Sequence, residues 1–200
     1  MLELLIATGN EGKVKEFTEL FANLPIRLRS LNEFEKIIEP AETGATFADN
    51  AMLKARYYAI KTRTLAMADD SGLSVAALNG APGIFSARYG GENTSFNAKI
   101  DKLLFELNKT DDNERLAKFV CAMAISDDSG EIKNLSEGIC EGKIALSPTG
   151  INGFGYDPIF IPDGFTESFG ELSSEIKHKI SHRAVASEKI IEFLSKFIVS

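Results

Sequence analysis

The stretch "LELLIATGNEGKVKEFTELFANL", residues 2–24, joins an apolar run, a glycine-containing turn and an amphipathic segment. The apolar run over residues 2–8 predicts a buried strand. Apolar residues then recur at helical spacing, namely Val14, Phe17, Leu20, Phe21 and Leu24. This spacing predicts a helix over residues 13–24. A strand, a short glycine turn and a helix in this order indicate an α/β fold.

The alternation of strands and helices continues along the chain. Thr46 is a predicted N-cap for a helix over residues 47–62, and "TLAMAD", residues 64–69, predicts another strand. Asp69 and Asp70 are therefore expected at the end of a strand. Ligands of α/β sheets bind at the carboxyl ends of the strands. We therefore expect residues 69–71 and the turn over residues 8–13 to face the same crevice.

The second half of the chain predicts an amphipathic helix over residues 95–108 and a long hairpin over 115–145 that turns at "DDSG". From Ser181 onward an apolar stripe predicts a closing helix. Loop-rich stretches lie between these elements, at residues 80–93, 147–160 and 173–184. Together the elements predict one domain over residues 1–200, with a mixed sheet covered on both faces by helices.

Composition restricts the partners. The 200 residues are 44% hydrophobic and carry a net charge of −7. This acidic balance argues against binding to nucleic acid, which needs a basic face, but it permits a small anion held by a few cations and a divalent metal. No apolar stretch predicts a signal peptide or a membrane span. We expect a cytoplasmic protein without a membrane partner, whose Cys121 and Cys140 are reduced core residues.

The turn over residues 8–13 resembles a phosphate-binding loop only in part. Too few residues separate Gly9 from Gly12 for a Walker A loop, and Val14 follows Lys13 where that motif needs serine or threonine. A turn from strand to helix nevertheless presents unpaired N–H groups and the positive end of the helix dipole to an anion. The simpler interpretation is that the turn is only a turn and Lys13 is a solvated lysine.

Carboxylates elsewhere strengthen the anion hypothesis. Asp69 and Asp70 lie side by side, and Glu42 precedes the helix that contains Lys54. Carboxylate oxygens of this kind suit Mg²⁺ that is shared with phosphate oxygens. The alternative is that each carboxylate is a turn, cap or surface residue.

Six segments in order resemble the inosine/xanthosine triphosphate pyrophosphatases, which remove deaminated purine nucleotides: "ATGNEGKVKE", "ETGATFADNAMLKA", "ADDSGL", "GAPGIFSARYGG", "GFGYDPIF" and "SHRAVA". The resemblance covers the length of the chain. It implies an elongated central mixed sheet, two lobes with a deep active-site cleft between them, and a homodimer. The implied reaction is Mg²⁺-dependent hydrolysis of ITP, dITP, XTP and dXTP to the nucleoside monophosphate and pyrophosphate.

The resemblance also implies roles for individual residues. Asp70 would be the catalytic base and, with Glu42, a ligand of Mg²⁺, and Asp69 would be a second carboxylate beside them. The triphosphate would be bound by Thr8, Gly9, Asn10, Lys13, Lys54 and Ser71. The base would be bound by Phe154, Gly155, Tyr156, Asp157, Lys177, His182 and Arg183. Spacing to His182 favours Lys177 over Lys179.

The chemistry of the base residues is consistent with this assignment. Phe154 can stack on a purine, and Lys177, His182 and Arg183 can donate to the carbonyl at C6 of hypoxanthine or xanthine. Adenine carries an amino donor there and would leave these groups unpaired. The simpler interpretation is that Phe154 and Tyr156 are core aromatics and that Ser181 caps the last helix.

Two other functions remain open from the sequence. One is a nucleotide-binding regulatory module without catalysis, against which the joint presence of Glu42 and Asp70 argues. The other is a septum-associated type of nucleotide pyrophosphatase with a different base specificity, against which "FGYD" and "SHR" argue.

Overall fold

A computed structural model describes residues 1–91, 93–111 and 113–199, so Glu92 of the loop at 80–93 lies outside the described residues. The elements follow in chain order: β1 Leu2–Ile6, α1 Glu11–Leu20, β2 Ile26–Ser30, α2 Phe47–Thr62, β3 Ala66–Val75, α3 Phe96–Leu107, β4 Leu116–Ser126, β5 Ile132–Ile144, β6 Phe160–Pro162, α4 Ser174–Ile180 and α5 His182–Val199. Within this described part, every helix is too short or too polar to cross a bilayer.

The strands form a six-stranded sheet in the order β2-β1-β3-β4-β5-β6. β1 runs parallel to β2 and to β3, whereas β5 and β6 are antiparallel. The predicted mixed sheet is therefore confirmed. The predicted hairpin is also present, because Asp127 donates its N–H to Glu131 and Ile144 donates its N–H to Arg115, which closes β4 and β5 at both ends.

The predicted end of β3 was wrong. The strand runs from Ala66 to Val75, so Asp69 and Asp70 lie inside it. The backbone stays extended past Asp70 because Leu73 and Val75 are both buried in a hydrophobic core. β1 ends at Ile6 opposite Met67 of β3, so the aspartates lie on β3 beyond the carboxyl end of β1.

Other differences concern short elements. α1 begins at Glu11 because Asn10 caps it, and it ends at Leu20 before the predicted limit. Within the stretch at 173–184, expected to be a loop, residues Ser174–Ile180 form α4 after the N-cap Ser173. The stretch was too short for helical periodicity to be recognised.

Backbone contacts divide the chain into two units. Unit 1 contains residues 1–70, 121–138 and Arg183 onward, and unit 2 contains Ser71–Val120 and Ile139–His182. In unit 1 a core packs on each face of the sheet. One core includes Leu4 and Ile6 with residues of α1 and α5, and the other includes Leu5 and Ala7 with residues of α2. Unit 2 has its own core, in which side chains of α3 pack with Leu73, Phe119 and Phe160.

Helix α2 starts at a complete capping box. Thr46 Oγ1 accepts from the N–H of Asp49 at 3.1 Å, and Asp49 Oδ2 accepts from the N–H of Thr46 at 3.1 Å. The reciprocal pair satisfies two backbone donors that a helix start would otherwise leave without partners. The predicted helix over residues 47–62 and its cap are confirmed.

Replacing Thr46 by alanine should lower the free energy of unfolding by about 1 kcal/mol, because the N–H of Asp49 loses its acceptor. Thr46→Ser keeps the hydroxyl and should lose much less. Urea unfolding followed by circular dichroism measures both values. Equal losses in the two variants would contradict this role for the hydroxyl.

Candidate active site

Asp69 and Asp70 point to opposite faces of the sheet, because successive residues of a strand alternate. The core residues fix which face is which. Met67 packs in the core beside α1 and α5, whereas Ala66 and Ala68 pack in the core beside α2. Asp69 therefore meets α1 and α5, and Asp70 meets α2.

On the first face Asp69 is buried among cations. Lys13 Nζ lies 2.8 Å from Asp69 Oδ2, and an Arg183 nitrogen lies 3.7 Å from the same oxygen. Arg183 also forms a close ion pair with Glu16. Burial raises the pKa of Asp69, but the charges of Lys13 and Arg183 outweigh it and hold the pKa well below the ordinary value. Asp69 is therefore a carboxylate at neutral pH.

On the second face Asp70 meets Asn50 and Lys54 of α2. Asn50 Nδ2 donates to Asp70 Oδ2 at 2.9 Å, and Lys54 Nζ lies 3.6 Å from Asp70 Oδ1. The same ammonium donates to Glu42 Oε1 at 2.7 Å. Burial raises the pKa of Asp70 above the ordinary value, although Lys54 and the hydrogen bond from Asn50 oppose the shift. Adjacent aspartates thus have pKa values shifted in opposite directions.

Lys54 is the cation shared by the carboxylates of this face. It is 7% exposed. Burial lowers the pKa of Lys54, but the charges of Asp70, Asp69 and Glu42 raise it above the ordinary value. The ammonium is therefore charged.

The turn over residues 8–13 follows β1 and is built as an N-terminal cap. Asn10 Oδ1 accepts from the N–H of Lys13 at 3.1 Å, and Thr8 Oγ1 accepts from the N–H of Asn10 at 3.2 Å. Gly9 is exposed, and a Cβ there would have no atom within 4 Å. The turn leaves room for a ligand beside the start of α1.

Unit 2 contains most residues predicted to bind the base. Asp157 Oδ2 accepts from the N–H of Phe154 at 2.7 Å and from Lys177 Nζ at 2.7 Å. Lys177 Nζ also lies 4.8 Å from the centre of the Phe154 ring. One buried carboxylate oxygen therefore fixes both the predicted stacking residue and a predicted donor.

The remaining residues of this group have distinct surroundings. His182 is buried and stacks on Phe119 with ring centres 4.7 Å apart. Tyr156 is in the core of unit 2, where its hydroxyl donates to the carbonyl of Ser86 at 3.1 Å. A Cβ at Gly155 would lie 3.5 Å from the ring of Phe96. Tyr156 thus has the core position that the simpler interpretation expected.

Arg183 and Ser71 belong to different units from the other residues of their predicted groups. Arg183 belongs to unit 1 and is 2% exposed beside Glu16 and Asp69, whereas the other predicted base residues belong to unit 2. Ser71 follows Asp70 in β3 but is assigned to unit 2. The role of each at a nucleotide stays a prediction.

The donors at Glu42 and Asp70 fit Mg²⁺. Both are carboxylates that contact the ammonium group of Lys54. They therefore lie on either side of a position that already holds a positive charge. No group of three or more His, Cys, Asp or Glu side chains that could hold a metal occurs in the described residues. Mg²⁺ commonly takes only one or two carboxylates and completes its shell with phosphate and water.

Sequence reasoning missed Asn50 and Glu16. Asn50 precedes Lys54 by one helical turn on the buried face of α2, which also contains Tyr58. A polar amide on the face of α2 that packs in the core could have identified Asn50 from the sequence. Glu16 gave no signal, because its partner Arg183 is distant in sequence.

Comparisons with known proteins agree over the whole chain. The Ham1 family model matches residues 4–193. A dITP/XTP pyrophosphatase of Bacillus cereus is 44% identical over 200 residues, covering 100% of this chain and 98% of the relative. A dITP/XTP pyrophosphatase of Bacillus subtilis is 46% identical over 194 residues, covering 97% and 98%.

A solved structure gives the same result. The structure of a HAM1 protein from Coxiella burnetii matches with a TM-score of 0.90 and 41% identity, covering 98% of this chain and 100% of that one. The resemblance noted from the six segments is confirmed by these matches. By sequence and by fold, this chain belongs to the Ham1 family.

Proposed function

We propose that this chain hydrolyses the non-standard purine nucleoside triphosphates ITP, dITP, XTP and dXTP to the nucleoside monophosphate and pyrophosphate, and so keeps deaminated purines out of DNA and RNA. Relatives named dITP/XTP pyrophosphatase that cover nearly the whole chain support this activity. The structural observation that carries it is the arrangement around β3. Asp70 and Glu42 share Lys54, while the neighbouring Asp69 pairs with Lys13 of the turn after β1.

The phosphates would be held by the cations of unit 1. Lys13 and the N–H groups at the start of α1 offer charge and donors to the outer phosphates, and Lys54 offers a second charge. Ion pairs with Asp69 and Glu42 already fix both ammonium groups. Little side-chain freedom is then lost when the triphosphate binds.

Asp70 would act as the general base. Burial raises its pKa, so its carboxylate is a stronger base than an exposed aspartate. It accepts a proton from the attacking water as the water oxygen forms a bond to the α-phosphorus. The bond from this phosphorus to the bridging oxygen breaks, and pyrophosphate leaves with the bonding pair. When Mg²⁺ is bound by Glu42 and Asp70, it supplies positive charge that offsets the triphosphate and polarises water.

Recognition of the base would depend on Lys177, His182 and Phe154. Lys177 and His182 donate to the carbonyl at C6, and Phe154 stacks on the ring. Asp157 keeps the Lys177 ammonium beside Phe154. Adenine would place an amino donor against these donors. Guanine shares the C6 carbonyl, so its exclusion would rest on leaving its 2-amino group without an acceptor.

Two further aspects belong to the proposal. The enzyme would work in the cytoplasm, where its two buried free cysteines stay reduced. It would act as a homodimer on a small nucleotide, without nucleic acid or membrane as partner.

A substrate panel in oxygen-18-labelled water should give a specific pattern. With Mg²⁺, dITP and XTP are hydrolysed much faster than dATP and dGTP, and pyrophosphate forms in equal amount to the monophosphate. Mass spectrometry should find the label in the monophosphate, because water attacks the α-phosphorus. Label in pyrophosphate, release of orthophosphate alone, or equal turnover of all substrates would overturn the proposed function.

Asp70→Asn should reduce kcat for dITP by about 10²- to 10⁴-fold, because the amide cannot accept the proton. Affinity for a dITP analogue with an imido bridge between the α- and β-phosphates should stay within about tenfold. Calorimetry measures this affinity. Asp128→Asn, the same change in the exposed hairpin turn, is the control and should leave both values unchanged. Full activity of Asp70→Asn would refute the role of Asp70.

Lys177→Met should reduce kcat/KM for dITP by about 10- to 100-fold, because a charged donor to the C6 carbonyl is lost. The rate with dATP should change by less than about threefold, since adenine gains nothing from this donor. The ratio of the two rates does not depend on how much protein is folded. Lys179→Met on the same helix changes an exposed lysine and should preserve the ratio. An equal loss with both nucleotides would contradict the assignment.

A further inference from the structure

Asn50 is a buried polar residue that the proposed reaction does not use. It is 0% exposed and lies in the first part of α2. Its side chain is engaged at both ends. Nδ2 donates to Asp70 Oδ2 at 2.9 Å, and Oδ1 accepts from the N–H of Gly44 at 2.8 Å.

The hydrogen bonds define the orientation of the amide. Gly44 offers an N–H and therefore needs the oxygen of Asn50, so the NH₂ group must face Asp70. Asp70 is thus held by a donor that cannot lose its proton, on the side of the carboxylate opposite the oxygen near Lys54. The two oxygens of the carboxylate therefore have different partners, Asn50 at Oδ2 and Lys54 at Oδ1.

The other end of Asn50 fixes the segment that carries Glu42. Gly44 lies against α2 so closely that an added Cβ would meet Asn50 Oδ1 at 2.6 Å and Asp49 Cβ at 2.6 Å. Glycine is therefore needed there, and the backbone two residues after Glu42 is held against the helix. Asn50 connects this backbone directly to Asp70.

We propose that Asn50 is a positioning residue, whose amide holds the Asp70 carboxylate and the Gly44 backbone in one arrangement and so sets Glu42 and Asp70 for the cation and the attacking water. This inference rests on the proposed function. In this role Asn50 acts through its hydrogen bonds to Asp70 and to the Gly44 backbone. Its effect should appear in the chemical step and in cation binding and should leave nucleotide binding intact.

The test uses two substitutions and one control. Asn50→Leu keeps the branched shape and the number of side-chain heavy atoms but removes both hydrogen bonds, and Asn50→Ser is smaller and leaves room for water. Ala59→Ser introduces a hydroxyl into the buried face of the same helix, away from Asp70, and controls for lost stability. Thermal unfolding, kcat and KM for dITP are measured for each. Binding of Mn²⁺ without nucleotide is followed by electron paramagnetic resonance.

Both Asn50 variants should lower kcat and weaken Mn²⁺ binding about 10- to 100-fold, the usual effect of removing a partner of a metal ligand. KM should stay within about threefold, and Ala59→Ser should change neither kcat nor Mn²⁺ affinity. The proposal would be overturned if kcat and Mn²⁺ affinity of both Asn50 variants stayed within twofold of wild type. Loss of folding in both would overturn it too, because Asn50 would then be structural. Mn²⁺ binding is measured without substrate. An unchanged Mn²⁺ affinity would therefore contradict the role of Asn50 alone, whereas the wild-type substrate panel tests the proposed function.

Discussion

The alternation of side chains along β3 is the constraint on which the candidate site depends. Two adjacent carboxylates would repel each other strongly if they shared one buried environment. The strand instead directs Asp69 to the face covered by α1 and α5, and Asp70 to the face covered by α2. One carboxylate stays ionised among cations, and the other keeps a raised pKa. A single strand therefore provides a structural anion and a stronger base in consecutive positions.

Burial of so many charges is tolerable only because each has partners. An unpaired buried charge costs several kcal/mol, whereas pairs with good geometry recover much of that cost. Lys13 is held by Asp69, and Lys54 is held by Glu42 and Asp70. In the proposed reaction these same cations face the phosphates. The ion pairs thus offset much of the cost of burying these charges and also hold the cations in place for a ligand, which reduces the entropy lost on binding.

Much of the fold was predictable because local patterns determined it. The N-cap of α2 and the hairpin of β4 and β5 need only neighbouring residues, and both were predicted within a residue or two. β3 was predicted too short, since burial of Leu73 and Val75 in the core of unit 2 overrides the turn tendency of Ser71 and Gly72. For the same reason, the surroundings of Arg183 and Asn50 in the site could not be predicted from the sequence. Their partners are set by tertiary packing that spacing does not encode.

The proposed chemistry and the proposed specificity lie on different parts of the chain. The groups assigned to the phosphates and to proton transfer belong to unit 1, apart from Ser71, and those assigned to the purine belong to unit 2, apart from Arg183. Every nucleoside triphosphate has the same tail, so the groups on the phosphates cannot by themselves distinguish dITP from dATP. On the proposed assignment, discrimination comes from donors such as Lys177, which forms an ion pair with Asp157 at 2.7 Å. Because Asp157 and Lys177 are not among the groups acting on the phosphates, substitutions there can change which base is accepted while the bond that is broken stays the same.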